Sequence, residues 1–429
     1  MPKITSRLSL MLIVYLTNTA SLFVAFKASA LTLSPSQNVL LLSIHTVSIF
    51  VSQFSDLGYS RPAYRNLAQK PELAEQARYY YSVNFQRFLI MLFCLPIMYV
   101  FMPISEQPII IIPAILLVVG FSLRSPWLVA ANASLFRAYS ISEVIFSSLA
   151  VAIFFGIILL EYRPTLIVIL SILVAARLGP IILVSERLSR YVSLAAVFRF
   201  DRDIFRESLA SLGIKLILLA SHNSNGFFLI MLFTQSEVGM YLQADKLFYA
   251  GVGLFAFLSQ EVVRLATHGH FQRVPWYLLA AGCFLVSSFL AICFAISAPF
   301  FLKLAFSESY VAASEPLRWM LIGFPLMATN MILANAYVHH RRHDGLVLKA
   351  ASVAAIGNLL TVAAVYFMMQ PNAAAFGVIA SEGAALVFLI YAFRKGVETK
   401  EENVSEAKEH AALLQPSSNT SAVLANSGG

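Results

Sequence analysis

Residues 186–205 read ERLSRYVSLAAVFRFDRDIF, a basic stretch that interrupts a chain otherwise dominated by long apolar runs. Roughly six such runs lie on each side of it, each about 20 residues long, the length that crosses the hydrocarbon core of a bilayer as a helix. Before it they fall near 8–30, 38–57, 84–103, 108–132, 141–160 and 165–186. After it they fall near 207–233, 237–263, 275–304, 312–337, 347–368 and 373–394. This pattern predicts an all-α integral membrane protein of about twelve transmembrane helices in two six-helix bundles. The bundles span 1–186 and 207–395, with a basic linker at 187–206. A tail at 396–429, rich in Glu, Lys, Ser, Asn and Gly, is expected to be disordered.

Lys and Arg orient the spans, because basic residues are retained on the cytoplasmic side. They collect in every second gap, as at Arg61, Arg65, Lys70, Arg78 and Arg87, and again at Arg187, Arg190, Arg199, Arg202 and Arg206. The intervening gaps hold only Arg163, Lys303 and Arg318. Both termini are therefore expected on the cytoplasmic side. The net charge of +8 then belongs beside anionic lipid headgroups, and no nucleic-acid partner is expected. Residues 1–30 share the outline of a secretory signal, ending in Ala28-Ser29-Ala30. The run exceeds the roughly 7–15 residues of a signal core and carries Asn18, which favours a span. The inward segment 58–83 is expected to extend its span as an amphipathic cytoplasmic helix.

Charges inside spans are costly and mark cavities or partners. Arg124, Arg177, Lys215, Lys246 and Glu382 fall deep within the runs, with Asp245 beside Lys246. Lys27, Glu143 and Glu261 fall nearer span ends, where a side chain reaches the interface by snorkelling. A basic interior suits an anionic cargo, above all a phosphate or pyrophosphate, for which Arg offers a fork and Lys a point charge. Structural pairing is the alternative: Asp245 with Lys215, and Glu382 with Arg177 or Arg124. Polar groups at mid-span, His222-Asn223-Ser224-Asn225 together with Asn18, His45, Asn330, Asn335 and Asn358, suit either sugar hydroxyls or hydrogen bonds between helices.

Catalytic signals are sparse, and no enzyme activity and no cofactor are expected. Asp201-Arg202-Asp203 spells the Asp-x-Asp pattern of metal-dependent sugar transferases but lies in the short linker. No Gly-x-x-x-x-Gly-Lys phosphate loop is present, so an intrinsic ATPase motor is excluded. Cys94, Cys283 and Cys293 lack metal-ligand spacing. The outward loops are short, which argues against a membrane polymerase or ligase.

Three stretches carry a resemblance: SDLGYSRPAYRNLAQ at 55–69, EVGMYLQADKLFY at 237–249 and LKLAFSESYVAASEPLRWMLIGFP at 302–325. They resemble segments of the polysaccharide-transporter branch of the multidrug/oligosaccharidyl-lipid/polysaccharide exporter superfamily. The resemblance implies two bundles around a central cavity that opens alternately to either side. It also implies ion-driven flipping of an undecaprenyl-pyrophosphate-linked oligosaccharide for O-antigen, capsule or exopolysaccharide assembly. On that reading Arg124, Arg177, Lys215, Lys246 and Lys27 meet the anionic head group, while His222, Asn223, Asn225 and Asn18 meet sugars. Glu382 or Asp245 takes up the coupling proton or sodium ion. The expected partners are the lipid-linked anionic oligosaccharide, membrane lipids and polysaccharide-assembly proteins. A multidrug exporter of the same fold is the alternative, and it calls for an acidic cavity.

Overall fold

The computed structural model describes residues 2–56, 58–69, 72–101, 108–125, 127–128, 131, 133–193, 197–218, 224–267, 274–334, 344–368, 370 and 374–413. Every regular element among them is helical. The first half comprises α1 (Pro2–Thr32), α2 (Pro35–Asp56), the short α3 (Ser60–Gln69), α4 (Leu73–Phe101), α5 (Ile111–Leu123), α6 (Ala133–Leu159) and α7 (Leu166–Ser189). The second comprises α8 (Arg202–Leu218), α9 (Ser224–Leu232), α10 (Gln235–Thr267), α11 (Trp276–Ala305), α12 (Ser314–Leu333), α13 (Asp344–Met368) and α14 (Phe376–Leu413).

Among the described residues, 7 helices are long and apolar enough to cross a membrane, and α5 is a shorter apolar helix. The remaining expected spans fall on α4, α8 with α9, α10 and α12. Charges such as Arg78 and Arg87 on α4 and Asp245 and Lys246 on α10 dilute their apolar windows. The lipid-facing surface is plain on α11, where Leu285, Phe289, Ile292, Ile296 and Phe300 form one exposed stripe at helical spacing. Such a stripe is stable only against hydrocarbon.

Several local expectations change. The segment 58–83 is not one helix: the chain turns at Gly58, whose φ of 83° favours glycine, and α3 and α4 are separate. Of the span expected at 207–233 the described parts are α8 and α9, and His222 and Asn223 lie outside the described residues. The tail does not begin at 396, because α14 continues to Leu413. Its Glu, Lys and Ala content there is favourable to helix. Asp201 accepts from the backbone N–H groups of Asp203 and Ile204 at 3.0 and 3.2 Å, so the Asp-x-Asp sequence caps α8.

Within the first half α6 packs on α1 and α7, and α5 on α2 and α7. Within the second, α12 packs on α10, α11 and α14, and α14 also on α13. The halves meet through α2 against α9 and α10, and through α1 against α10 and α11. At the end carrying the α1–α2 turn they are tied by Asn38 Nδ2 donating to the Tyr310 hydroxyl at 2.9 Å. There Lys27 Nζ donates to the Lys303 carbonyl at 2.7 Å, and the rings of Phe26 and Phe306 stack. At the opposite end Asn66 on α3 donates to Glu207 on α8 at 2.8 Å.

Candidate functional site

Between these two ties lies a cavity of about 430 Å³, lined by α1 to α5 and α7 of the first half and by α9 and α10 of the second. Its charged and titratable lining consists of Arg87, Arg124, Arg177, Lys246, Asp56, Asp245, His45, Tyr15 and Tyr249. Cations outnumber carboxylates on its walls.

Arg124 enters the cavity because α5 stops there. Its backbone is extended (φ −58°, ψ 131°) just after Leu123, and the sequence Ser125-Pro126 that follows disfavours helix. Arg124 is therefore at a helix end, not within a continuous span. Its guanidinium grips Glu143 as a fork, Nε to Oε1 and Nη2 to Oε2, both at 3.1 Å. Glu143 also accepts from the Tyr139 hydroxyl at 2.8 Å and from Asn18 Nδ2 at 2.7 Å. The reading of Glu143 as an interfacial residue is corrected: α6 begins at Ala133, so Glu143 lies well inside it and is 2% exposed. The pairing is with Arg124, not between Arg124 and Glu382.

Arg177 on α7 is 2% exposed. Its Nη1 donates to Asn18 Oδ1, and its guanidinium carbon sits 5.2 Å from the centre of the Phe121 ring. Among the described residues it forms no ion pair, and its Nε has no hydrogen-bond partner. The charge is buried without a counter-ion in contact, which is costly unless a further anion arrives.

Room for Arg177 depends on Gly120, where an added Cβ would stand 2.8 Å from the Arg177 Cβ. Close approach of helices at small residues is typical of membrane interfaces. Gly120→Ala is expected to lower the apparent Tm in detergent, as overpacking costs about 1–3 kcal/mol. Gly156→Ala, with nothing within 4 Å of the added carbon, serves as the control and is expected to melt like the native protein.

On α10, Lys246 Nζ donates to Thr46 Oγ1 of α2 at 2.6 Å and to Asp245 Oδ2 at 3.3 Å. Asp245 is thus paired, among the described residues, with its sequence neighbour. Lys215 lies on α8, and its side chain is outside the described residues. Glu382 lies outside the lining, buried in the second half, where it accepts from Asn330 Nδ2 at 2.8 Å. Asn225 is also buried away from the lining, against Gly377 of α14 and near Asn358. Lys27 caps the end of α11 through the Lys303 carbonyl and is likewise not in the lining. Asn18 lines the cavity as a hub, accepting from Arg177 and, at 2.9 Å, from Ser147 while donating to Glu143.

Sequence reasoning missed two lining charges. Arg87 was assigned to a cytoplasmic segment, yet it is 3% exposed, lies 3.6 Å from Asp56 Oδ1 and donates to the Arg124 carbonyl at 2.9 Å. Asp56 also accepts from Ser60 at the start of α3, at 2.7 Å. The available signal was the pair of opposite charges near the inner ends of consecutive spans, but nothing local separates Arg87 from the loop arginines around it.

No protein-family model and no curated protein matches this chain in sequence. Among solved structures, the inward-facing form of a multidrug resistance MATE family transporter of the MOP superfamily aligns with a TM-score of 0.60 at 12% identity, covering 90% of this chain and 95% of that one. The lipid II flippase MurJ, in an inward closed conformation, gives 0.62 at 14% identity, covering 90% and 87%. This chain has the MOP-superfamily fold. The eukaryotic MATE transporter AtDTX14 shares it, with a TM-score of 0.55 at 12% identity over 91% and 95% of the two chains. At such identities the likeness is one of fold. Together with the apolar helices, the MOP fold makes this a multi-pass membrane protein.

Proposed function

We propose that the protein is a flippase that carries an undecaprenyl-pyrophosphate-linked oligosaccharide across the bacterial inner membrane by ion-coupled alternating access, for O-antigen, capsule or exopolysaccharide assembly. The observation that supports this most directly is Arg177, a buried cation without a paired carboxylate among the described residues, on the wall of a cavity between the two halves. Arg87, Arg124 and Lys246 line the same cavity and add positive charge where burial strengthens electrostatic attraction. A pyrophosphate is the cargo group that this arrangement favours, through bidentate contacts to guanidinium forks.

Alternating access requires cargo to shift the balance between states by differential contacts. The ties at the two ends of the cavity are the contacts that such a shift exchanges. Asp245, already in contact with Lys246, is the acidic group placed to take up a coupling proton or sodium ion when cargo engages that lysine. A multidrug exporter is the second reading, favoured by the likeness to the MATE transporter fold. Cationic drugs call for an excess of acidic groups, whereas here Glu143 and Asp56 are engaged with arginines.

Deletion of the gene in its host is expected to stall lipid-linked repeat units on the cytoplasmic leaflet while their synthesis continues, read by extraction and mass analysis of the prenyl-linked pool. Normal surface polysaccharide together with new drug sensitivity would reject the flippase in favour of the exporter.

A further inference from the structure

His45 lies in the middle of α2 on the cavity wall and is 2% exposed, yet neither ring nitrogen has a hydrogen-bond partner among the described residues. Buried polar side chains are nearly always hydrogen-bonded, and an orphaned one destabilises the protein that carries it. The ring is also held in a fixed place. Phe26 and Phe121 meet it edge-on from two sides, each with ring centres 5.2 Å away and interplanar angles of 86° and 88°. Ser52 of the same helix donates to the Phe121 carbonyl at 3.0 Å, fixing α2 against α5.

Two cations share this mounting. Phe121 is the ring beneath the Arg177 guanidinium, and Thr46, the residue after His45, receives the Lys246 ammonium. The imidazole thus stands on the same wall as a cation of each half, and both of these cations act on it electrostatically. Among the described residues no carboxylate bonds to it. Oxyanions accept hydrogen bonds, and an imidazole N–H supplies a directed donor that differs from the charge of a lysine and from the fork of an arginine.

Resting on the anionic-cargo reading above, we infer that His45 is a cargo-positioning residue. Its N–H donates to a phosphate oxygen of the prenyl-linked pyrophosphate, between Arg177 and Lys246, and fixes where the head group sits as the two halves rearrange. The ring is left without a partner among the described residues because its partner is the cargo.

The test uses purified full-length protein in neutral detergent, titrated calorimetrically with inorganic pyrophosphate and with undecaprenyl pyrophosphate. His45→Leu is expected to weaken binding of both by about tenfold or more, the scale of a lost hydrogen bond to a charged group. Its apparent Tm should equal or exceed that of the native protein, because an orphaned polar group has been removed. His45→Gln, which retains an N–H donor, is expected to recover most of the affinity. Unchanged affinity in His45→Leu, or a lowered Tm with affinity intact, would overturn the inference while leaving the anionic-cargo reading in place. If native protein binds neither compound, that reading fails as well. Equal affinity for the two compounds would show that the site takes a free anion, and the lipid-linked cargo would be overturned.

Discussion

Arg177→Ala is expected to abolish surface polysaccharide while the protein remains in the membrane at native abundance. The first half of this expectation follows from the absence of a contacting counter-ion among the described residues. Arg124 shares its charge with Glu143 and Arg87 with Asp56, and Lys246 has Asp245, whereas the direct contacts of the Arg177 guanidinium among the described residues are the neutral Asn18 and the face of Phe121. Its charge is the one most available to a cargo phosphate. Each charge-assisted hydrogen bond is worth about 1.5–3 kcal/mol, so losing a forked pair weakens cargo binding by about 100-fold or more.

The second half follows from what the substitution leaves behind. Asn18 Oδ1 keeps the Ser147 hydroxyl as donor at 2.9 Å, and its amide still donates to Glu143. The freed volume opens into an existing cavity, not a sealed core, so the void term of a large-to-small change is reduced. Arg177→Lys keeps the charge but loses the fork and the planar contact with Phe121, and intermediate transport is expected. Surface polysaccharide measured beside membrane abundance decides the matter: full activity of Arg177→Ala would remove the support for a pyrophosphate site.

Glu143→Ala is expected to do the opposite, removing folded protein before any question of transport arises. One carboxylate satisfies Arg124, Tyr139 and Asn18 together. Taking away one partner of a buried ion pair costs about 3–5 kcal/mol, because the remaining charge is left desolvated and unpaired. Two further donors lose their acceptor in the same step, and α1, α5 and α6 lose one of the contacts that hold them together. Severe loss of the protein from the membrane, or a large fall in apparent Tm in detergent, is the expected result. Glu143→Gln retains an acceptor and should be milder. A Glu143→Ala variant that melts like the native protein would show that the network carries little of the stability.

The parts of this protein that were legible in its sequence are those set by local composition. Apolar runs near the bilayer thickness fix an all-helical membrane architecture, because unpaired backbone groups are too costly in hydrocarbon for irregular chain. The basic stretch around Arg187, Arg190 and Arg199 was read as a break between two halves for a related reason: a cluster of charge cannot remain within the apolar core. Arg124, Arg177 and Lys246 stood out as intramembrane charges, and the structure gathers all three on one cavity.

What the sequence left open was the partner of each charge, and tertiary structure decided it. Glu143 is separated from Asn18 by 125 positions, and Arg177 from Asn18 by 159, so these contacts arise only when α1, α6 and α7 cross. Arg87 looked like its neighbouring loop arginines until packing against α2 and the end of α5 buried it. The stop of α5 at Arg124 and the early start of α6 at Ala133 altered the depth of two charges by several residues. Hydropathy is additive along a chain and can be read from one strand of text. Charge pairing depends on side chains meeting within about 4 Å across helices that the sequence does not order in space, and for that reason the identity of the cation left unpaired among the described residues belonged to the fold.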